Sequence, residues 1–340
     1  GHFLGLLARG YARTLAISGT HGKTTSTGMT ACILLEAQTD PTIHIGGMLP
    51  AINGNTRSGG ADWFLMEACE YKNSYHSFFP THTLVLNIEA DHLDFFRDLE
   101  DILDSFSRFT DNLTPDGTLV LNLDDSGCCA LAQRLSRPYA GYRVEHAGLA
   151  ETDAPEQNNH TPVPHGVTPI HSYLARNIRE INGAGQFEIW CDGVFLTDLT
   201  LSIPGHHNIQ NATGCFALAH LAGLPAESIA RGLSRFTGTG RRFERRGHVH
   251  GALLVDDYAH HPSEIRATLA AARQICQGRV LCVFQPHTYT RTRELFSDFS
   301  TTLALADQVV LVDIYAAREP NLGQVHSRDL VLSINNAGGL

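Results

Sequence analysis

Lysine is almost missing from this chain. Only Lys23 and Lys72 are lysines, and the remaining 23 of the 25 Lys and Arg residues are arginines. Against that background a lysine marks a place where a compact point charge matters. Also missing is any uninterrupted apolar run near the roughly 20 residues that a helix needs to cross a bilayer, so no membrane association is expected. The start carries no basic stretch followed by an apolar one, the mark of an export leader, and a cytoplasmic location is expected. The eight cysteines, at 32, 69, 128, 129, 191, 215, 276 and 282, include no C-x-x-C pair and no zinc-cage spacing. They read as buried, reduced thiols. Positive charge is in deficit, the formal net charge being −10. That weighs against a nucleic-acid partner, because such binders carry a basic face.

What is present describes a globular protein. The 340 residues suffice for two domains, and 43% hydrophobic with 18% charged residues is ordinary core-forming composition. The chain opens at Gly1 without methionine and ends at Gly338-Gly339-Leu340, which reads as a piece of a longer protein. Apolar runs at Thr14–Ile17, Trp63–Met66, Thr83–Leu86 and Thr118–Leu123 suit strands buried on both faces of a parallel sheet. Helical patterns over Thr24–Leu35 and Ile102–Phe109 alternate with them, which argues for an open α/β sheet. Residues 146–172, rich in Pro, His, Asn and Thr, are expected to form an exposed loop. Gln186–Ile203 alternates like an antiparallel pair around Cys191-Asp192-Gly193-Val194, and helices are expected near Asn208–Leu221 and Ala226–Phe236. Phe236–Gly240 is expected to be a hinge. A second α/β series then runs through strand Ala252–Val255, helix Ser263–Gln274, strand Val280–Phe284, helix Thr292–Ala304 and strand Val309–Val312. No internal repeat is evident.

Gly19-Thr20-His21-Gly22-Lys23-Thr24-Thr25 lies between an expected strand and an expected helix, the setting of a phosphate-binding loop. Glycines let backbone N–H groups turn toward phosphates, and the helix N-terminus favours negative charge. The dipole supplies only ~0.3–1 kcal/mol at an exposed site, so a triphosphate also needs Lys23 and a metal held partly by the Thr24 hydroxyl. The loop is a shortened one, with Ile17 where the usual pattern has another glycine, and an ordinary strand-to-helix turn is the alternative. A dinucleotide oxidoreductase would need G-x-G-x-x-G after the first strand, which is lacking. Glu67 follows the run Trp63–Met66, with Glu70 beyond it, and Thr83–Leu86 leads into Asn87-Ile88-Glu89-Ala90-Asp91-His92-Leu93-Asp94. Strand ends of this kind gather ligands. Magnesium takes oxygen ligands and binds phosphates jointly with one or two carboxylates, a role that suits Glu67. His92 stands either as a ligand or as a hydrogen-bonded structural residue.

Together these segments resemble the central domain of the Mur ligases. Pro204-Gly205-His206-His207-Asn208-Ile209-Gln210-Asn211-Ala212 resembles the family's adenine-side helix start, and Gly238-Thr239-Gly240-Arg241-Arg242-Phe243-Glu244 its entry to a further domain. Val255-Asp256-Asp257-Tyr258-Ala259-His260-His261-Pro262, Phe284-Gln285-Pro286-His287-Thr288-Tyr289-Thr290-Arg291-Thr292-Arg293 and Asp313-Ile314-Tyr315-Ala316-Ala317-Arg318-Glu319-Pro320 resemble those members that use L-alanine. The matches run in family order over nearly the whole chain.

The resemblance implies a central phosphate-loop-type parallel sheet with helices on both faces, over 1–237, and a second, incomplete Rossmann-like α/β domain, over 238–340. It also implies that the family's N-terminal UDP-binding domain is absent, so that this piece alone binds nucleotide weakly and catalyses poorly. The implied reaction uses ATP and Mg2+ to join L-alanine to the carboxylate of UDP-N-acetylmuramate through an acyl phosphate, for peptidoglycan precursors. By resemblance, Gly19 to Thr25 cradle the phosphates, with Lys23 neutralising charge. Thr24 and Glu67 hold one magnesium, and His92 with Glu67 a second. His207, Asn208 and Asn211 face the adenine, and Arg242 with Asp257 close on the nucleotide. Tyr258, His260 and Arg291 line the meeting place of carboxylate and alanine, and Asn87 and Glu89 touch the sugar substrate. Other readings stay open. Asn208 and Asn211 can simply begin a helix, His260 and His261 can be structural, and Arg293 can pair with a carboxylate. Arg241, Arg242, Arg245 and Arg246 can form a solvated face, and Glu70 can stand behind the ligands. Thr288 departs from relatives with arginine there, which would shift a contact to Arg291. The rival functions are a ligase attaching a recycled peptide to the same sugar nucleotide and a non-catalytic nucleotide-binding module.

Overall fold

Every second residue of the central strands meets a different set of neighbours. Leu15, Ile17, Trp63, Leu65, Leu84 and Val120 join one buried cluster, while Ala16, Phe64, Met66, Val85, Leu119 and Leu121 join another. That is the two-residue period of a sheet covered on both faces. The structure, a computed structural model, describes residues 1–93, 95–145, 168–181, 183–317, 319–320 and 323–336. It divides into two compact units, the first formed by 1–203 with 207–240 and the second by 204–206 with 241–340.

The first unit is built on a mixed sheet. Its strands are β1 (Arg13–Ser18), β2 (Thr42–Leu49), β3 (Gly54–Arg57), β4 (Trp63–Glu67), β5 (His82–Val85), β6 (Thr118–Asn122), β7 (Ala140–Val144), β8 (His171–Ile181), β9 (Ala184–Cys191) and β10 (Val194–Leu201). They lie in the order β10-β9-β8-β7-β6-β5-β1-β4-β2-β3. From β8 through β2 the pairing is parallel, as the apolar runs predict, and the margins β8-β9-β10 and β2-β3 are antiparallel. The α/β expectation holds, with the sheet wider and more mixed than a parallel one. The hairpin of β9 and β10 turns at Asp192 and Gly193, both at positive φ, as an Asp-Gly turn requires.

One face is covered by α2 (Lys23–Glu36), α5 (His206–Leu221) and α6 (Ala226–Ser234), and the other by α3 (Leu99–Asp111) and α4 (Ser126–Ala132), with α1 (His2–Ala8) at its margin. Although α2 is rich in hydroxyl residues, it is buried because Thr27 and Thr30 donate to the carbonyls of Lys23 and Ser26, each at 2.8 Å, which satisfies groups that water would otherwise have to reach. Asp98 caps α3 by accepting from the Asp101 N–H at 2.9 Å, with Glu100 and Asp101 in the first turn, the arrangement that favours a helix start.

Three expectations are revised. Most of the loop expected at 146–172 lies outside the described residues, but its end, from His171, is already in β8. The expected hinge at 236–240 is packed: Phe236 and Thr239 are buried, and the Gly240 N–H donates to the Met48 carbonyl at 2.8 Å. Gly28 permits this, since a Cβ there would meet Phe236 and Thr239 at 2.8 Å. The single helix expected over Thr292–Ala304 is two, α8 (Tyr289–Glu294) and α9 (Phe296–Leu303), broken at Leu295, whose φ of −102° and ψ of 24° leave the helical range.

The second unit contains an antiparallel pair, β11 (Glu244–Val249) with β12 (Ala252–Asp256), and a parallel pair, β13 (Leu281–Phe284) with β14 (Gln308–Leu311). Its core joins Ile265 and Leu269 of α7 (Pro262–Ile275) to Phe284, to Phe299 and Leu303 of α9, and to Leu330 and Ile334 of α10 (Ser327–Asn336).

At the amino end of β5, burial first and then the charge of Arg13 lower the pKa of His82 from its usual 6.5 to about 4. The unfolded chain therefore binds a proton that the folded one refuses, and folding stability falls as pH drops from about 6.5 to about 4. Chemical denaturation across that window is expected to show a loss of about 1–3 kcal/mol attributable to this group. A His82→Gln variant should flatten that part of the profile.

Candidate active site

The site follows from register. Ile17 of β1 lies across from Glu67 of β4, and Ser18 across from Val85 of β5. The chain leaving β1 therefore emerges between the carboxyl ends of its two neighbours, where α/β sheets place ligands. Two glycines make the turn: Gly19 at φ 139° and Gly22 at φ 81°, the latter capping α2 without any side-chain acceptor. Both conformations disfavour side chains. A Cβ on Gly19 would also press on the Asn87 backbone, at 3.1 Å from its N and 3.2 Å from its O.

Asn87 holds the loop in shape. Its Oδ1 accepts from the His21 N–H at 2.7 Å, its Nδ2 donates to the His21 carbonyl at 3.2 Å, and its carbonyl accepts from the Thr20 N–H at 3.0 Å. Asn87 thus clamps the loop through both ends of its amide. The Glu89 N–H donates to Thr20 Oγ1 at 2.9 Å and its carboxylate lies 3.5 Å from His21 Nε2.

Lys23, the first residue of α2, turns its ammonium into this turn. Nζ donates to the carbonyls of Gly19 at 2.6 Å and Thr20 at 2.9 Å, and pairs with Glu70 at 2.9 Å from Oε2 and 3.1 Å from Oε1. Burial pulls its pKa down, but the charge of Glu70, its hydrogen bond and the charge of Glu67 outweigh burial and raise it, so the group remains an ammonium. Thr24 Oγ1 donates to Glu67 Oε1 at 3.1 Å, and Glu67 Oε2 accepts the Gly46 N–H at 2.9 Å. Thr25 is half-buried in the same turn of α2. His92, at φ 53°, faces Glu70 at 3.6 Å and Asp91 at 3.9 Å and lies against the Tyr71 ring, centroids 4.6 Å apart. Asn208 and Asn211, in the first turns of α5, are buried. The Asn211 amide lies so near Gly22 that a Cβ there would meet it at 3.1 Å. His207 precedes them on the same turn, half-buried.

The donor set beside the loop suits magnesium. A hydroxyl and a carboxylate stand 3.1 Å apart at the start of a helix, with Lys23 next to them, and hard cations prefer oxygen. Of the second set expected, His92 with Glu67, the imidazole lies 3.6 Å from Glu70 and 3.9 Å from Asp91.

In the second unit, Arg242, Tyr258, His260, His287 and Arg291 lie close together. The guanidinium of Arg242 sits 5.6 Å from the Tyr258 ring centroid and 3.7 Å from Glu264. His260 Nδ1 lies 3.0 Å from the Tyr258 carbonyl and 3.3 Å from Glu264, and its ring is 6.1 Å from that of His287. Arg291 Nη1 reaches His287 Nδ1 at 3.1 Å. Asp257 is engaged by its own turn, accepting from the N–H groups of Phe243 at 2.6 Å and Ala259 at 2.7 Å. Burial raises its pKa despite those bonds. These bonds shape the loop that carries Tyr258. His261 caps α7 in a reciprocal box with Glu264, which is the structural alternative. Arg293 bonds Gln324 and pairs with Glu294 at 3.6 Å, and Arg241 and Arg246 pair with Asp256 at 3.6 and 3.2 Å. Arg318 of the last motif, and Asp94, lie outside the described residues.

Residues 17–219 match the Mur ligase middle domain, and residues 241–338 match the Mur ligase glutamate ligase domain. The chain belongs to the Mur ligase family. Over 99% of its length this Mur ligase is 43% identical to the UDP-N-acetylmuramate–L-alanine ligase of Clostridium novyi, covering 68% of that protein. Over 96% it is 42% identical to the enzyme of the same name from Lachnoclostridium phytofermentans, covering 67%. Among solved structures it is similar to the UDP-N-acetylmuramate-alanine ligase of Thermotoga maritima, with a TM-score of 0.74 and 25% identity over 99% of this chain and 67% of that one.

Sequence reasoning missed Gly46 and Gly47. They sit in β2 where its pairing with β3 shifts register. A Cβ on Gly46 would stand 2.8 Å from the Glu67 carboxylate, and one on Gly47 2.9 Å from Thr24. The signal was a glycine pair inside a strand, which marks a bulge or a close approach. Glu264 was missed as well. It ties Arg242, His260 and the cap of α7 together, and its place in the first turn after His261-Pro262 was the clue.

Proposed function

We propose that this Mur ligase joins L-alanine to the carboxylate of UDP-N-acetylmuramate with ATP, in the synthesis of peptidoglycan precursors. The observation that carries the substrate assignment is identity above 40%, over almost the whole chain, to enzymes named for that reaction. The phosphate loop, with Lys23 and the Thr24–Glu67 pair, supplies the chemistry such a reaction needs. Phosphoryl transfer asks for positioning and charge neutralisation more than covalent participation.

In this reading the glycine-shaped turn and the uncapped first turn of α2 present N–H groups to the nucleotide phosphates. Lys23 offsets the charge that spreads over the transferring group. Thr24 and Glu67 would hold a magnesium ion, which would supply positive charge to the phosphates. His207, Asn208 and Asn211 at the start of α5 form the adenine side. Phosphorylation of the muramyl carboxylate gives an acyl phosphate. The alanine amine attacks its carbonyl carbon, the C–O bond to phosphate breaks, and the amine proton is lost. Tyr258, His260 and Arg291 receive the carboxylates and the amine, and Arg242 the nucleotide. On this reading residues 1–237 form the nucleotide domain and 238–340 the amino-acid domain. The work belongs in the cytoplasm, where nucleotide-activated sugars are made. No helix among the described residues is long and apolar enough to cross a membrane.

The test offers UDP-N-acetylmuramate and Mg-ATP with L-alanine or with L-alanyl-γ-D-glutamyl-meso-diaminopimelate, in the enzyme extended to the length of its relatives. ADP release dependent on L-alanine is expected. Preference for the tripeptide would replace this assignment with the peptide-recycling one.

A further inference from the structure

Lys23 has no N–H left over. An ammonium donates three hydrogen bonds, and here they go to the Gly19 carbonyl, the Thr20 carbonyl and Glu70. To touch a phosphate oxygen the side chain must release at least one partner. The two carbonyls belong to the turn itself, so phosphates entering that turn compete for the same ammonium hydrogens. Glu70 differs in kind. Its side chain is 3% exposed and it faces two basic groups, Lys23 at 2.9 Å and His92 at 3.6 Å. A carboxylate this buried is tolerated only while paired, and removing its partner costs far more than removing an exposed one.

The segment after Glu70 is shaped to keep it there. Lys72 and Asn73 both adopt positive φ, at 54° and 53°, conformations rare for residues with side chains. The Asn73 N–H donates to the Glu70 carbonyl at 2.8 Å, and Ser74 Oγ to the Cys69 carbonyl at 2.7 Å. Tyr71, next in the chain, packs on the His92 ring. One short tight turn thus places a carboxylate against Lys23 and an aromatic ring against His92.

We propose that Glu70 is a positioning residue for Lys23: the ion pair is the pivot about which the ammonium swings from the loop carbonyls to the terminal phosphates of the nucleotide, while the same carboxylate fixes His92. This rests on the phosphate-loop reading above. It places Glu70 in direct service of the loop, where sequence reasoning set it behind the ligands.

The test measures binding of Mg-ATP and of AMP to the full chain by calorimetry. AMP lacks the terminal phosphates that Lys23 would meet, so it separates positioning from general damage. Glu70→Gln is expected to weaken Mg-ATP about tenfold and AMP less than about twofold, the scale of one charge-assisted hydrogen bond. In a Lys23→Met background the same change is expected to alter Mg-ATP affinity less than about twofold, because a residue acting through Lys23 has nothing left to position. Glu70→Asp, which keeps the charge on a shorter arm, should recover part of the loss. Equal losses for Mg-ATP and AMP, an equal loss in the Lys23→Met background, or undiminished Mg-ATP binding would each overturn the proposal. If Glu70→Gln alone fails to fold, Glu70→Asp, which keeps the charge, still reads the first leg, and Lys23→Met, in which Glu70 keeps His92 beside it, compared with Lys23→Met/Glu70→Gln, in which the buried carboxylate is gone, reads the second. An unsubstituted chain that binds Mg-ATP no more tightly than AMP would overturn the phosphate-loop reading together with this one. Retained preference in the Glu70 variants would overturn this one alone.

Discussion

Lys23→Ala is expected to lower turnover by on the order of 10²–10³, the usual consequence of deleting one charge aimed at a transition state in a water-poor site. The lysine sits where β1 ends and α2 begins, with its charge maintained by Glu70 and Glu67 against the cost of burial. Arginine is not expected to substitute. Its planar fork cannot follow the ammonium between the Gly19 and Thr20 carbonyls, at 2.6 and 2.9 Å, and it binds phosphate with a different geometry. Truncation also leaves the Glu70 carboxylate buried without its ammonium partner, with His92 3.6 Å away, so some loss of stability should accompany the loss of rate. Lys23→Met/Glu70→Gln should regain the stability and not the rate. Steady-state ADP release with a parallel melting curve separates the two. Near-normal turnover in Lys23→Ala would remove the phosphate site from this loop.

Glu67→Gln is expected to raise the Mg2+ concentration for half-maximal activity at least 10–100-fold, the range for losing a polar partner of a bound metal. Both carboxylate oxygens are acceptors here, one for Thr24 Oγ1 and the other for the Gly46 N–H. An amide can satisfy only one of them, and in either orientation it brings an N–H group to a position that needs a lone pair. Because the pair lies at a strand end and not in the core, the fold should survive, and excess magnesium should restore part of the rate. A magnesium dependence identical to that of the unsubstituted enzyme would place the metal elsewhere.

Some of this site is legible in the sequence for a physical reason. Gly19 and Gly22 stand out because only glycine takes φ of 139° or 81° at little cost, and Lys23 because it is one of two lysines. Glu67 is exposed to reasoning by ending an apolar run, since strand ends are where a sheet meets its ligands. Less is legible where contacts depend on strand order. Gly46 reaches Glu67 only because β2 is placed beside β4, with Ile43 across from Leu65, and no local pattern dictates that neighbour. The resemblance implies a sugar contact for Asn87, but nothing local announces that the turn of Thr20 and His21 comes within 3 Å of it and bonds its amide and backbone. Nor does the sequence announce that Asp257 is held in its own loop by two backbone N–H groups. The break at Leu295 escaped notice because the apolar period continues through it, and periodicity reports which face is buried, not whether the axis bends. β8 was hidden in part by the residues before it, whose composition obscured where a strand resumed.

The most direct measurement follows oxygen. UDP-N-acetylmuramate labelled with 18O in its carboxylate is turned over with Mg-ATP and L-alanine, and the released phosphate and nucleotide are examined by mass spectrometry. Transfer of the terminal phosphoryl group to that carboxylate predicts one labelled oxygen in each phosphate released and none in ADP. Unlabelled phosphate, or AMP carrying the label, would mean that the carboxylate is activated some other way, and the role assigned to Lys23, Thr24 and Glu67 would fall with it.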